Sequence, residues 1–196
     1  NDFNAAAFSS PMLGLKPTIC SIVKVLDGDK PKYAIGESAY KDDRTTFKGN
    51  TLTGSELRYD RMIDAFAKVP KARLGGATYT WIHKSCQQFD YLFGNIDKIN
   101  TPLLIMHNDG DGHVPWYQGI EFFVSLRRLG KPSWFLNYND EPHWPLKRQN
   151  RKDFNIRMAQ FFDHYLKGEP KPVWMQSGVP AIEKGINQGY ELINNK

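Results

Sequence analysis

Residues 101–115 read TPLLIMHNDGDGHVP, and this stretch decides the fold. Its apolar run, residues 103–106, is short and uninterrupted, which is typical of a strand buried on both faces of a sheet. Polar and glycine residues follow at once. A second apolar run, residues 134–136, leads into YNDEPHW at residues 138–144. Two buried strands that each end in polar residues predict an open α/β sheet with a site at its carboxyl ends.

A carboxylate and a histidine stand just past these two strands. In a catalytic triad the aspartate accepts the imidazole N–H, and the histidine takes a proton from the nucleophile. Asp111, in a glycine-flanked turn, and His143, after the second strand, are therefore the predicted acid and base. Asp109 is the rival acid. The alternative interpretation is that the acids only shape a turn and that His143 is a surface residue between prolines.

The stretch HNDGDGH, residues 107–113, could instead indicate a metal site. The twelfth position counted from Asp109 is Ile120, where a calcium loop needs a glutamate. His107 and His113 flank this loop. A strand end followed by glycines does not hold two histidines at a fixed distance, so zinc is not expected. We predict no metal and no cofactor.

The composition is that of an ordinary globular protein of 196 residues with a formal net charge of +5. No long basic block is present, so nucleic-acid binding is not expected. No apolar run approaches the roughly 20 residues of a membrane span, and no signal peptide is recognisable. The compartment stays open between bacterial periplasmic or secreted and cytoplasmic. Cys20 and Cys86 are expected to be free thiols or one bridge.

The predicted elements place the candidate pair in a βαβα run, which calls for a parallel sheet with right-handed crossovers. They are a strand at 4–8, a strand at 102–106, a helix at 117–129, a strand at 133–138 and a helix at 153–167. Asp153 is the expected cap of the last helix. The charge-dense region 15–94 contains two helical stripes and predicts a helical lid. The tail from Lys171 to Lys196 has little pattern beyond a few apolar anchors and is expected to wrap the surface.

A triad also needs a nucleophile, and no G-x-S-x-G pentapeptide occurs in the sequence. Glycines on both sides of the serine allow the sharp strand-to-helix turn that exposes it. The nearest match, residues 36–40, reads GESAY and lies in the polar region rather than after a buried strand. Ser9 and Ser10 follow a strand but lack the glycines. We therefore predict that the chain carries an acid and a base but neither the nucleophile nor its oxyanion hole.

The second half carries a dense set of motifs. They run from LLIMHNDGDGHVPWYQGIEFFVSLRRLGKPSWFLNYNDEPHW through RQNRKDFNIRMAQFFDHYLKGEPKPVWM to GVPAIEKG, within about residues 95–193. This segment resembles the C-terminal end of the catalytic domain of prolyl oligopeptidase family serine peptidases. In that family the acid stands three residues before the valine of a D-x-x-V-P loop, and the base follows the next strand. The resemblance implies Asp111, before Val114, as acid and His143 as base.

The first part carries different motifs, which are AAAFSSPMLGL, YAIGESAY, NTLTGSELRYDRM and ARLGGATYTWI, within about residues 3–90. They resemble the lid region of bacterial lysophospholipases of the monoacylglycerol lipase type. Both families are α/β hydrolases with a segment like IDKINTPLLI before the acid-bearing strand, and the two resemblances meet there. They imply a lipase-like lid joined to a peptidase-like C-terminus. The join would result either from recombination at the shared segment or from an artefact of sequence assembly.

These resemblances imply the C-terminal part of an α/β-hydrolase fold, with a partial parallel sheet and a helical lid insertion. The expected domains are a core strand and loop at 1–14, the lipase-like lid at 15–94, and the peptidase-like part of the core at 95–196. Three strands leave an open sheet edge where the missing N-terminal half would pair. We therefore expect that half, an oligomer or another partner at this edge, or poor solubility of the chain.

The expected function is that of a serine peptidase of the prolyl oligopeptidase family, acting on a peptide, with the isolated chain inactive. One alternative keeps the reaction class but makes the enzyme a lysophospholipase or monoacylglycerol lipase, acting on a lipid ester. Another alternative is a catalytically silent fragment or interaction module.

Overall fold

The computed structural model describes residues 3–41, 46–50 and 53–193. The chain divides into two compact units, one of Asn1–Gly14 with Tyr91–Lys196 and the other of Leu15–Asp90. The assignment of domains by family origin remains a prediction. Residues 51 and 52 of the lipase-like motif NTLTGSELRYDRM, and the last three residues of the tail, lie outside the described residues.

A three-stranded parallel sheet of order β1-β2-β3 forms the centre of the first unit. The strands are β1 (Ala6–Ser9), β2 (Leu103–Met106) and β3 (Ser133–Leu136). The predicted strands are thus confirmed, with ends that differ by two residues at most. All four residues of β2 are buried, because a strand pairs on each side of it and helices cover both faces.

Alternate residues of β2 point to opposite faces and build two separate cores. One face packs on α4 (Trp116–Arg128) through Leu103, Ile105, Phe122 and Leu126. The other packs on α5 (Arg148–Lys167) and the short α6 (Val173–Ser177) through Leu104, Phe161, Trp174 and Met175. Helices on both faces of a parallel sheet confirm the predicted α/β class.

Helix α5 begins at Arg148, so the prediction that Asp153 caps it is wrong. Asp153 lies inside the helix, where its carboxylate accepts hydrogen bonds from the hydroxyls of Tyr138 and Tyr190 and from Arg157 Nε. Burial would raise the pKa of Asp153, but the hydrogen bonds from Arg157 and the two tyrosines lower it below its ordinary value. Arg157 lies one turn further along the same helix, whereas the two tyrosines come from other segments that no local pattern could reveal.

The tail does more than wrap the surface. Trp174 is only 3% exposed and belongs to the core between the sheet and α5. Its indole N–H donates to Gln160 Oε1 at 2.8 Å, and Gln160 Nε2 donates to the carbonyl of Tyr190 at 2.7 Å. The expected apolar anchors thus include Trp174 and Met175 of α6, so this part of the tail belongs to the core and not to the surface.

The second unit is helical. It contains α1 (Pro17–Leu26), α2 (Glu56–Lys68) and residues 79–90 of α3 (Tyr79–Gly94). The two predicted helical stripes are α1 and α2, whereas α3 was not predicted as a separate helix. Thr78 precedes this helix and is a sequence signal for its start. Its Oγ1 accepts a hydrogen bond from Trp81 N at 3.1 Å, as an N-cap does.

Two side-chain links join α1 to α3 in this unit. Cys20 and Cys86 form a disulfide, which decides between the alternatives left open for the two cysteines. Asp27, the residue after α1, accepts a hydrogen bond from Thr80 Oγ1 at 2.6 Å and pairs with His83 Nδ1 at 2.8 Å. In the described part of the chain, no helix is long and apolar enough to cross a membrane.

Candidate active site

The loops that follow β2 and β3 bring Asp111 and His143 together. His143 Nδ1 lies 2.8 Å from Asp111 Oδ2, with the aspartate side chain fully buried and the histidine side chain 30% exposed. Parallel strands end at the same edge of the sheet, which is why residues 32 positions apart can meet there. A buried carboxylate that holds one nitrogen of a partly exposed imidazole has the geometry of an acid and base pair.

The loop backbone holds Asp111 in place. Its Oδ1 accepts the N–H of His113 at 2.8 Å and of Val114 at 2.9 Å, which leaves Oδ2 for His143. Burial would raise the pKa of Asp111, but the hydrogen bonds from Val114, His113 and His143 outweigh it and lower the pKa below its ordinary value. Asp111 is therefore a carboxylate at neutral pH.

His107, which the sequence suggested only as a possible metal ligand, contacts the Asp111 loop from the protein interior. It is fully buried, with Nε2 3.2 Å from the carbonyl of Val114 and 3.3 Å from Asp111 Oδ2. Because both partners are acceptors, we assign the proton to Nε2. On the opposite side, a Cβ added at Gly119 of α4 would lie 2.5 Å from His107 Nδ1. The glycine makes room for the histidine that orients the carboxylate.

Asn108 and Gly110 join the two loops. Asn108 Nδ2 donates to the carbonyl of Pro142 at 2.8 Å, and Oδ1 accepts the N–H of Tyr138 at 3.1 Å. A Cβ at Gly110 would lie 2.8 Å from the carbonyl oxygen of Glu141, so only glycine allows this approach. Asn108 was not predicted as a site residue, although a polar residue two positions after a buried strand is a usable signal.

The rival acid has a different role. Asp109 Oδ1 accepts the backbone N–H of Asp140 at 2.8 Å. Asp140 has a φ of 59°, in the left-handed region that few residues other than glycine adopt. Among the described residues, no histidine hydrogen-bonds Asp109, so the structure pairs His143 with Asp111 instead.

A buried carboxylate organises the loop that carries His143. Glu141 is 1% exposed and accepts hydrogen bonds from Leu146 N at 2.7 Å, Lys147 N at 2.9 Å and Asn150 Nδ2 at 2.6 Å. Burial would raise the pKa of Glu141, but these three hydrogen bonds lower it below its ordinary value. Sequence reasoning missed Glu141, because its donors lie in the following loop and helix rather than in a recognisable motif.

Two of the serines considered from the sequence, Ser10 and Ser38, donate their hydroxyls to backbone carbonyls. Ser10, directly after β1, is buried with a φ of 44°, and its Oγ donates to the backbone carbonyl of His143 at 2.6 Å. Ser38, in the other unit, donates its hydroxyl to its neighbour Ala39. Over residues 3–41, 46–50 and 53–193, no hydroxyl hydrogen-bonds the ring of His143. Ser10 therefore anchors the loop of His143 to β1.

Three possible metal ligands meet at this site. Asp111, His113 and His143 each offer one ligand atom, and these atoms lie within 4.8 Å of one another. In the sequence, His107 and His113 alone do not predict a zinc site. The fold adds His143 from a different loop.

A cavity of about 1430 Å³ also lies in the first unit, bordered by β3, α5 and α6. Its lining includes Trp134, Asp153 and Trp174 but neither Asp111 nor His143. The acid and base pair therefore belongs to the surface at the strand ends and not to this cavity.

Comparison with known proteins identifies relatives of the region that holds this site. A model of the prolyl oligopeptidase family matches residues 68–169, which is 102 of the 196 residues and includes both Asp111 and His143. The match begins at the end of α2, earlier than the predicted boundary near residue 95.

Curated relatives match over shorter stretches. Dipeptidyl-peptidase 5 of Aspergillus fumigatus is 42% identical over 42% of this chain and 12% of that protein. Dipeptidyl-peptidase 5 of Porphyromonas endodontalis is 33% identical over 48% and 14%, and a probable dipeptidyl-peptidase 5 of Aspergillus terreus is 37% identical over 35% and 9%. The chain thus spans about a tenth of the length of these relatives.

Among solved structures, a soluble variant of monoglyceride lipase from Saccharomyces cerevisiae, in complex with a substrate analog, is similar to this chain. It is 18% identical, with 83% of this chain and 56% of that chain covered and a TM-score of 0.49. A likeness of this size carries no argument about function.

Proposed function

The chain belongs to the prolyl oligopeptidase family, and from that premise we propose that Asp111 and His143 are the acid and base of a serine peptidase. The observation that carries the proposal is the 2.8 Å hydrogen bond between His143 Nδ1 and the buried carboxylate of Asp111. Both residues lie within the region that matches the family.

In this proposal Asp111 fixes the tautomer of His143. The carboxylate accepts the Nδ1 proton, so Nε2 keeps the lone pair that accepts a proton from a serine hydroxyl. The imidazolium formed in that step is stabilised by the carboxylate, and it then gives the proton to the leaving amine. Ser10 and Asn108 hold the His143 loop through backbone carbonyls, so they act as positioning residues.

We further propose that the nucleophile comes from outside these 196 residues. The sequence has no G-x-S-x-G elbow, and in the described residues no serine hydroxyl hydrogen-bonds the imidazole. The isolated chain is therefore expected to be inactive. Peptides are the proposed substrates, because the curated relatives are dipeptidyl-peptidases.

A lipid ester is the alternative substrate. The family match leaves residues 1–67 uncovered, and most of the motifs that resemble the lid of monoacylglycerol lipases lie in that part. Peptidase and lipase share the acid and base chemistry, so only a substrate comparison separates them.

The test begins with a fluorophosphonate probe, which labels activated serines. The 196-residue chain should not be labelled, and stoichiometric labelling of any of its serines would contradict the proposed external nucleophile. A longer polypeptide that adds an N-terminal half with a G-x-S-x-G elbow should be labelled. It should hydrolyse dipeptidyl anilides faster than monoacylglycerols, and the reverse preference would favour the lipase.

Variants of that longer polypeptide test the two residues. Asp111→Asn should lower kcat by about 10⁴ and His143→Ala by about 10⁶, the losses typical of triad acids and bases. Asp109→Asn is the matched control, because its side chain keeps an oxygen for Asp140 N and should leave kcat within a few-fold. Equal losses in Asp109→Asn and Asp111→Asn would show that the acid is misassigned.

A further inference from the structure

We propose that Asp111, His113 and His143 form a binding site for a divalent transition-metal ion of the zinc class. One carboxylate oxygen and two imidazole nitrogens make a ligand set that Zn²⁺ accepts, with a fourth position left for water. The three potential ligand atoms lie within 4.8 Å of one another. Ion binding at these residues does not depend on the proposed peptidase function.

The rearrangement needed to admit an ion is small. Ligand atoms around a tetrahedral zinc ion, with bonds of about 2.0–2.2 Å, lie about 3.3 Å apart. His143 Nδ1 and Asp111 Oδ2 are already 2.8 Å apart, so a small separation admits an ion between them. His113 is exposed, and its ring centroid is 5.4 Å from that of His143, so its imidazole can turn toward the pair without losing packing.

The carboxylate is oriented as a metal ligand would be. Two backbone N–H groups occupy Asp111 Oδ1 and leave Oδ2 directed at the histidines. The buried His107 supports the same oxygen, with Nε2 at 3.3 Å. Outer hydrogen bonds of this kind fix ligand orientation and strengthen metal binding.

The ligand types favour one group of ions. Imidazole suits Zn²⁺, Cu²⁺ and Ni²⁺, whereas Mg²⁺ and Ca²⁺ prefer all-oxygen sites. The ion takes the place of the proton on His143 Nδ1, and the neutral ring then carries its proton on Nε2. Under the proposed function, an imidazole in that state cannot accept a proton from serine, so metal binding and catalysis would exclude each other.

The experiment titrates Zn²⁺ into the 196-residue chain, made without a polyhistidine tag, by isothermal titration calorimetry. One ion per chain should bind, and a large excess of Mg²⁺ should not compete. Because Zn²⁺ has no visible absorption bands, Co²⁺ is used as a spectroscopic substitute. Its visible absorption should report binding at the same site. The imidazole NMR signals of His113 and His143 should shift on saturation, while those of His83 and His164 stay in place.

Two variants compare an exposed proposed ligand, His113, with a half-buried histidine outside the site, His164. His113→Ala should weaken Zn²⁺ binding at least tenfold, and His164→Ala, at a histidine on α5, should leave it unchanged. Absence of saturable binding would overturn the proposal, as would equal affinities of the native chain and His113→Ala. These readouts need no enzymatic activity, so they stand or fall separately from the proposed function.

Discussion

At the scale of single residues, the site depends on a chain of contacts that begins inside the protein. Gly119 leaves space for His107, which lies against Asp111 Oδ2, and Asp111 holds His143 Nδ1. Each residue positions the next, so a change at Gly119 should alter the environment of the partly exposed His143 imidazole.

The substitution Gly119→Ala tests this series of contacts. The new Cβ would lie 2.5 Å from His107 Nδ1, closer than real contacts allow, so His107 has to shift and with it the support of Asp111. We expect the free energy of unfolding to fall by about 1–3 kcal/mol, as overpacking does. Urea unfolding measures this, and NMR should show a change at the His143 ring.

Gly112→Ala is the matched control in the neighbouring loop. A Cβ there meets nothing within 4 Å, so its effect should stay within about 0.5 kcal/mol. If the two alanine variants are equally stable, the contact between Gly119 and His107 does not constrain the site.

Single carboxylates also hold loops at this scale. Glu141→Gln exchanges one buried acceptor oxygen for an NH₂ group that faces N–H donors. Since hydrogen bonds to charged groups contribute about 1.5–3 kcal/mol, we expect a loss of about 2–3 kcal/mol in urea unfolding. Glu121→Gln, at an exposed position of α4, should change stability by less than about 0.5 kcal/mol. Similar losses in both variants would argue against an organising role for Glu141.

At the scale of elements, the helical unit is small and is tied by covalent and polar links between α1 and α3. The disulfide between Cys20 and Cys86 closes a segment with a sequence separation of 66. Cross-linking of that length lowers the entropy of the unfolded chain, which amounts to about 4 kcal/mol in the loop-closure model.

Removal of the bridge should therefore destabilise the helical unit. We expect Cys20→Ser with Cys86→Ser to lower its stability by about 2–4 kcal/mol, measured by hydrogen exchange of amides in α1 and α2. Amides of β2 in the first unit serve as the internal control and should keep their protection. A disulfide variant with unchanged exchange in α1 and α2 would contradict the prediction.

At the scale of the whole molecule, three carboxylates of the first unit together make its stability depend on pH. Asp111, Glu141 and Asp153 each have a pKa lowered below the ordinary value, 3.8 for aspartate and 4.5 for glutamate. A lowered folded-state pKa means that the stabilisation is present above the ordinary pKa and is lost as the pH falls through the folded-state pKa. The first unit should therefore lose stability below about pH 4.5.

The slope of that loss can be measured. Each carboxylate that gains a proton on unfolding contributes up to about 1.4 kcal/mol per pH unit, so three give up to about 4. Urea unfolding between pH 5 and pH 3 should show this slope, and Glu141→Gln should reduce it by up to about 1.4. An unchanged slope in that variant would show that Glu141 does not contribute to the acid sensitivity.

The sequence by itself determined the parts of this protein that local patterns encode. The uninterrupted apolar run of β2 predicts burial on both faces, and helical spacing predicts α1 and α2. Strand order then indicates that Asp111 and His143 share one edge of the sheet, and their hydrogen bond agrees with that placement. Their catalytic role stays a proposal.

Only the tertiary structure decided which distant polar groups meet. The hydroxyl of Ser10 reaches the carbonyl of His143 across a sequence separation of 133, and Asp153 finds its donors in β3's following loop and in the tail instead of capping α5. His113 likewise meets His143 only because two loops converge. Periodicity reports which face of an element is apolar, whereas a buried polar atom takes whichever partner the packed chain brings within about 3 Å.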